Sequence, residues 1–279
     1  MGTRFELVLG PGDPARLRAI GEEALAEIAR LDDQLSVYRS SSEVSWINAR
    51  AGAAAVRVEE RLFRLIERCE ELSRATDGAF DVTVGPLMRA WGFVNSSGRL
   101  PTEDDRCRAE SSVGWQHVEL NPIERTVRFR RPGMRIDFGA IGKGYAVDRA
   151  IEILQGHGVT SALLHGGTSS IHAIGAPVDA DGWQIRWISP DGAERTFALR
   201  DRALSVSAVH GKAFEVEGRV FGHVMDPRTG SPTTAGRATV VTGPRSLECD
   251  AISTALLVLG SDGLGAVLRS FPTYDAVVA

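Results

Sequence analysis

A chain of 279 residues, 43% hydrophobic and 24% charged, is an ordinary globular sequence with enough apolar mass for one large domain or two closely packed lobes. Its net charge of −4, with no isolated lysine or arginine block, lacks the electrostatic footprint of a nucleic-acid binder, and a polyphosphate ligand would need local neutralisation, most simply by a divalent cation. The three cysteines, Cys69, Cys107 and Cys249, are too few and too far apart for a disulfide framework or a zinc site, and are compatible with a reducing compartment.

The run Met1 to Gly10 alternates like a strand, without a charged segment and long apolar core, and no later stretch stays apolar for about 20 residues. Neither export nor a membrane span is expected of the chain as it stands, with a trimmed leader as the alternative. Pro14 opens a helix whose apolar residues Leu17, Ile20, Ala24, Leu25, Ile28, Leu31 and Leu35 recur at spacings of three and four. A second amphipathic helix is predicted from Glu59 to about Thr76 on Leu62, Leu65, Ile66, Cys69 and Leu72, broken by Asp77-Gly78. The polar, turn-rich stretch from Val94 to Arg106 reads as a surface excursion.

Strands are predicted near Thr126 to Arg130 and Ser161 to Leu164, with a helix from Gly144 to Gln155 between them that turns Ala146, Val147, Ala150, Ile151 and Leu154 inward. Short strands follow at Trp183 to Ile188, Thr196 to Leu199, Ala203 to Ser207 and Ala238 to Thr242, then a helix from Ala251 to Leu259. The pattern is mixed α and β, without low-complexity linkers or short repeats.

Three segments carry chemistry. Asp137-Phe138-Gly139-Ala140-Ile141-Gly142-Lys143-Gly144 crowds a carboxylate, a lysine and three glycines into a strand-to-helix turn, where helix N–H groups face an anion. It is not a P-loop, because the glycine spacing is too short and Gly144 stands where a metal-binding hydroxyl is required. In Asp250-Ala251-Ile252-Ser253-Thr254, the carboxylate and the hydroxyl four residues on share one helical face and suit a hard cation such as Mg²⁺; Asp250 is equally suited to capping the following helix. In Gly222-His223-Val224-Met225-Asp226-Pro227-Arg228-Thr229-Gly230, turn chemistry explains most positions, while His223 stands out as a candidate general base or phosphate partner.

In this order and at these intervals the segments resemble the ApbE family, the FAD:protein FMN transferases, over nearly the whole chain. The resemblance takes in Met1-Gly2-Thr3, Ser36-Val37-Tyr38-Arg39, Gly78-Ala79-Phe80-Asp81-Val82-Thr83-Val84-Gly85-Pro86-Leu87, Asp137 to Asp148, Gly166-Gly167, His223 to Pro232 and Leu247 to Gly260. Thr168-Ser169-Ser170 departs from the Asn or Asp that often follows the glycine pair.

The resemblance implies a single α+β domain over residues 1–279, built as two α/β lobes with a flavin-nucleotide cleft between them. It implies that Met1, Tyr38, Ala79, Phe80, Asp81, Asp137 and Lys143 contact FAD, and that Ala140, through its carbonyl, Asp250 and Thr254 hold Mg²⁺. The implied reaction moves FMN from FAD to a serine or threonine hydroxyl of an acceptor protein and releases AMP. His223 is expected to take the hydroxyl proton, with Asp137 or Asp250 taking that part if His223 only positions the phosphate. An FAD pyrophosphatase and a noncatalytic flavin-binding or electron-transfer protein are the rival readings. A cytoplasmic location is the expectation, with an exported form that has lost its leader as the alternative.

Overall fold

In the computed structural model the described residues are 2–94, 98–209, 213–216, 218–234 and 236–279, so Met1 lies outside them. In chain order the elements are β1 (Phe5–Leu9), α1 (Pro14–Leu35), α2 (Glu43–Arg50), β2 (Val56–Arg57), α3 (Glu60–Ala75), α4 (Gly85–Ala90), α5 (Glu103–Glu110), β3 (Val118–Asn121), β4 (Thr126–Phe129), α6 (Gly142–Gly156) and β5 (Ala162–Gly166). There follow β6 (Ser170–Ile174), β7 (Trp183–Ile188), β8 (Glu194–Leu199), β9 (Arg202–Ala208), β10 (Ala213–Val216), β11 (Arg219–Asp226), β12 (Ser231–Thr234), β13 (Ala238–Gly243), α7 (Ser246–Leu259), α8 (Ser261–Ser270) and β14 (Asp275–Val278). The architecture is mixed α and β, as expected from the sequence.

The chain divides into two compact units. The first comprises Met1–Asp33, Ile141–Ala208 and Arg237–Ala279. Its six-stranded sheet has the order β1-β5-β6-β9-β13-β14, with every neighbouring pair antiparallel. Strand alternation gives the middle of that sheet two unlike faces. Ile171, Ala173, Leu204 and Val240 form an apolar cluster with Trp183, Ile185, Trp187 and Phe197 of the β7–β8 hairpin. The alternate residues Ser170, His172, Ser205 and Ser207 carry the polar bonds to α7.

The second unit comprises Gln34–Ala140 and Val209–Gly236 and contains the small sheets β2-β4-β3 and β10-β11-β12. Leu87, Ala90, Trp91, Phe93, Ala109, Val113, Phe221 and Met225 make a core cluster there, and Trp91 Nε1 donates to Gly230 O at 2.9 Å, tying α4 to the turn after β11.

The helices read from apolar spacing are present, with differences at their ends and on one face. Leu25 of α1 is exposed whereas Ile20, Ala24, Ile28, Leu31 and Leu35 are buried, so the apolar stripe is narrower than the spacing suggests. The stretch read as a surface excursion ends in α5, which Thr102 caps by accepting the Asp105 N–H at 3.1 Å. Helix α7 begins at Ser246, five residues before the predicted start, because its first turn is capped from another element.

Candidate active site

Helix α7 turns a polar stripe toward the sheet. Ser246, Asp250 and Ser253 fall at i, i+4 and i+7 on one helical face. The β6–β9 register sets Ser170 directly opposite Ser205, so both hydroxyls project from the same side. Each donates to Asp250 Oδ1, at 2.8 and 2.6 Å, while Oδ2 accepts the Gly144 N–H at 2.7 Å. Two residues along the strands, His172 Nδ1 meets Ser246 Oγ at 2.9 Å and Ser207 Oγ meets Ser253 Oγ at 2.8 Å. Thr239 Oγ1 of β13 closes the row by donating to Ser253 O at 2.7 Å.

Asp250 is therefore not an N-cap. It is the fifth residue of α7, with Arg245 at the cap position, and it is only 3% exposed. Burial pushes its carboxyl above the usual range, while the charge of Lys143, the Ser205 and Ser170 hydroxyls and the Gly144 N–H pull it back. Lys143, in the first turn of α6, thus shares its field with Asp250, and Thr254 lies one turn further along α7.

A carboxylate offers about four lone-pair positions, and three are taken, one on Oδ2 and two on Oδ1. The remaining position on Oδ2 and the Thr254 hydroxyl are hard oxygen donors, which fit Mg²⁺ rather than a soft transition metal. Among the described residues no group of three or more His, Cys, Asp or Glu side chains is arranged to hold a metal. One carboxylate and one hydroxyl are a set of a different kind, leaving coordination positions for phosphate oxygens and water.

Asp148, on the same helix as Lys143, holds α7 in place. Its carboxylate accepts the Ser246 and Leu247 N–H groups at 2.8 and 3.1 Å, satisfying first-turn donors that Arg245 leaves uncapped. His172 Nδ1 stands 3.4 Å away and Arg245 Nε 3.3 Å away. Burial would raise the Asp148 carboxyl, but the His172 hydrogen bond and charge, with Arg245 and the Ser246 N–H, hold it below its ordinary value. Gly144 is the close-approach position between the two helices: a Cβ there would lie 2.3 Å from Ser246 O.

In the second unit, Asp137 leaves the strand-like segment whose N–H donates to Val82 O at 2.7 Å, and its Oδ1 accepts the Gly139 N–H at 2.8 Å. That local turn carries the chain through Ala140. Ala79 and Phe80 are buried, each 1% exposed. Asp81 is buried too, accepting the Thr83 N–H and hydroxyl on Oδ1, both at 2.7 Å, and the Trp115 N–H on Oδ2 at 3.3 Å. Burial pushes its carboxyl up against the pull of those donors. Tyr38 contrasts with all three, at 63% exposed.

His223 sits half-buried on β11, between Phe221 and Met225, where the pairing with β12 changes register. Such an irregularity re-aims side chains. Gly222 beside it has no room for a side chain, since an added Cβ would lie 2.4 Å from Val209 Cγ1. The Asp226 carboxylate then fixes the following turn through both the Arg228 N–H, at 3.0 Å, and its guanidinium, at 2.9 Å.

The structure thus places Lys143, Asp250 and Thr254 in one unit, and Asp137, Ala140, Ala79 to Asp81, Tyr38 and His223 in the other. Ser170, Ser205, Asp148 and His172 were not assigned a role from sequence. For Ser170, His172 and Ser205 the signal was alternation: serines and a histidine at every second strand position facing a helix with polar residues at i, i+4 and i+7.

Comparison with known proteins gives a consistent picture. The model of the ApbE family matches residues 1–278. The FAD:protein FMN transferase of Treponema pallidum is 30% identical over 302 aligned positions, covering 99% of this chain and 83% of the relative, and that of Escherichia coli K12 is 25% identical, covering 96% and 79%. Among solved structures, the apo flavinyl transferase ApbE of Pseudomonas stutzeri superposes with a TM-score of 0.84 at 31% identity, covering 98% of this chain and 90% of the other. The ApbE protein of Thermotoga maritima gives 0.89 at 27% identity, covering 99% and 91%.

Proposed function

The chain belongs to the ApbE family, and we propose on that premise that it is an FAD:protein FMN transferase whose acceptor is a serine or threonine hydroxyl. The observation that carries the proposal within the structure is the buried Asp250 carboxylate, bonded to the start of α6 and within the field of Lys143. A carboxylate so placed, at a helix start with a lysine, belongs with a bound polyphosphate and its cation.

In the proposed reaction the acceptor oxygen bonds to the FMN-side phosphorus of FAD. The bond from that phosphorus to the bridging oxygen breaks, and AMP leaves with the bridging oxygen. His223 takes the proton of the acceptor hydroxyl, because an alcohol attacks phosphorus better as it is deprotonated. Lys143 holds phosphate as a point charge, and the first-turn N–H groups of α6 not occupied by Asp250 add donors to it. Asp137 fixes the flavin nucleotide, and the exposed ring of Tyr38 offers it a stacking face. With Ala79, Phe80 and Asp81 buried, their contribution is backbone contact and a rigid wall. Asp250, Thr254 and the Ala140 carbonyl would hold Mg²⁺, which supplies charge neutralisation on the pyrophosphate and a better leaving group.

The test is incubation with FAD, Mg²⁺ and an acceptor protein bearing an Asp-Gly-x-Thr-Gly-Ala-Thr segment, followed by acceptor mass and free FMN. A mass gain equal to one FMN phosphoryl adduct, with one AMP per adduct, is expected. Free FMN with unlabelled acceptor would instead make water the acceptor and the protein a pyrophosphatase.

A further inference from the structure

The second unit has an open cavity of about 510 Å³ between α4, α5 and the segment after β4, and its lining includes none of the residues assigned to FAD, the cation or catalysis. Its lining includes Arg89, Arg99, Arg108 and Arg131 and a single carboxylate, Asp105. That carboxylate is already engaged, since Arg108 Nη2 donates to Asp105 Oδ1 at 3.0 Å. Arg99 donates through Nε to Ala90 O at 3.1 Å, a neutral partner. Neither the Arg89 nor the Arg131 guanidinium makes a hydrogen bond or ion pair with another described residue. Arg131 also lines an adjoining cavity of about 350 Å³ together with Arg135, a half-buried guanidinium that Arg89 repels and Asp137 attracts.

This is an unusual concentration of uncompensated charge in a chain of net charge −4. Several other arginines of this unit pair with neighbouring acids, as Arg68 does with Glu71 and Arg106 with Glu103. A capping role at the end of α4 accounts for Arg89 alone, and leaves Arg99 and Arg131 unexplained. Guanidinium groups lining one hollow repel each other unless an anion shares it, and their planar forks match the oxygens of phosphate or carboxylate.

We propose that the Arg89–Arg99–Arg131 cavity, whose lining includes none of the residues assigned to the flavin nucleotide, is a binding site for a small, multiply charged oxyanion. The chemistry common to its ligands is two or more negative oxygens within reach of three guanidiniums, whether on a phosphate group or on a di- or tricarboxylate. The site is independent of the transferase reading.

The experiment titrates inorganic phosphate, and separately citrate, into the full chain by calorimetry and thermal shift. It is run on the wild type, Arg89→Ala/Arg131→Ala and Lys143→Ala. At least one anion is expected to bind the wild type and Lys143→Ala with similar affinity, and to bind the double arginine variant about tenfold or more weakly. Preference for phosphate over citrate, or the reverse, identifies the source. Circular dichroism of the double variant, whose altered side chains are exposed, checks its fold, and Arg131→Ala alone repeats the comparison with a smaller change. Absence of binding by either anion would overturn the proposal. So would binding lost in Lys143→Ala and kept in the arginine variant, which would place the anion at the start of α6.

Discussion

Asp250 Oδ2 accepts the backbone N–H of Gly144 at 2.7 Å across 106 residues of sequence, so the start of α6 and the second turn of α7 form one hydrogen-bonded corner. The bond is possible only because residue 144 lacks a side chain: an added Cβ would lie 2.3 Å from Ser246 O and 3.0 Å from Asp250 Cγ. Backbone cannot retreat as a flexible side chain can.

Gly144→Ala is therefore expected to push α6 from α7, with a loss of about 1–3 kcal/mol of stability. FAD turnover should fall with it, because the Lys143 and Asp250 placements share that contact. Denaturant unfolding and a steady-state assay on the same preparation check both. An unchanged unfolding midpoint would mean that the two helices are not held by this approach.

Mg²⁺ should raise the melting temperature of the wild type, and the rise should vanish in Asp250→Ala. The reason is linkage: a cation bound to the folded state alone stabilises it, and Asp250 is the single carboxylate of the proposed donor set. Thermal melts with and without chelator measure this without reference to catalysis. A cation-dependent rise that survives in Asp250→Ala would remove Asp250 from the metal site.

His223→Ala should lower the rate of FMN transfer by about 10² to 10⁴, the usual contribution of a positioned general base. FAD binding should change little if the histidine acts on the acceptor proton. Single-turnover labelling at neutral pH separates the two effects. A retained rate would restrict His223 to orienting phosphate, and pass the proton to Asp137.

Asp148 contributes a pH dependence whose sign follows from its surroundings. Its folded carboxyl lies below the ordinary 3.8, so its contribution to stability is fully present above that value and is lost as pH falls through the folded one. Asp148→Asn should cost about 3–5 kcal/mol near neutrality, the range for removing one partner from a buried charged group, here leaving His172 and Arg245 beside a neutral amide. The gap between variant and wild type should narrow below about pH 4, near the ordinary aspartate value. Urea melts across that range test the sign, and a gap that widened in acid would contradict it.

The sequence by itself determined the mixed α and β class, the long helices and the family. Apolar residues at spacings of three and four need no partner to be read, which is why Leu62, Leu65, Ile66, Cys69 and Leu72 all proved buried. The glycine turn and the Asp250–Thr254 pair were legible for the same reason, being local in the chain. The tertiary structure decided what local reading could not reach. Asp250 looked like a cap because a carboxylate before an apolar run usually is one, yet the true cap of α7 is Asp148, 98 residues earlier than Ser246. Ser170 and Ser205 gained their role from strand register, which sets them opposite each other beneath one carboxylate. A buried charge must find its donors wherever the fold brings them, and those donors come from three segments that no sequence period connects.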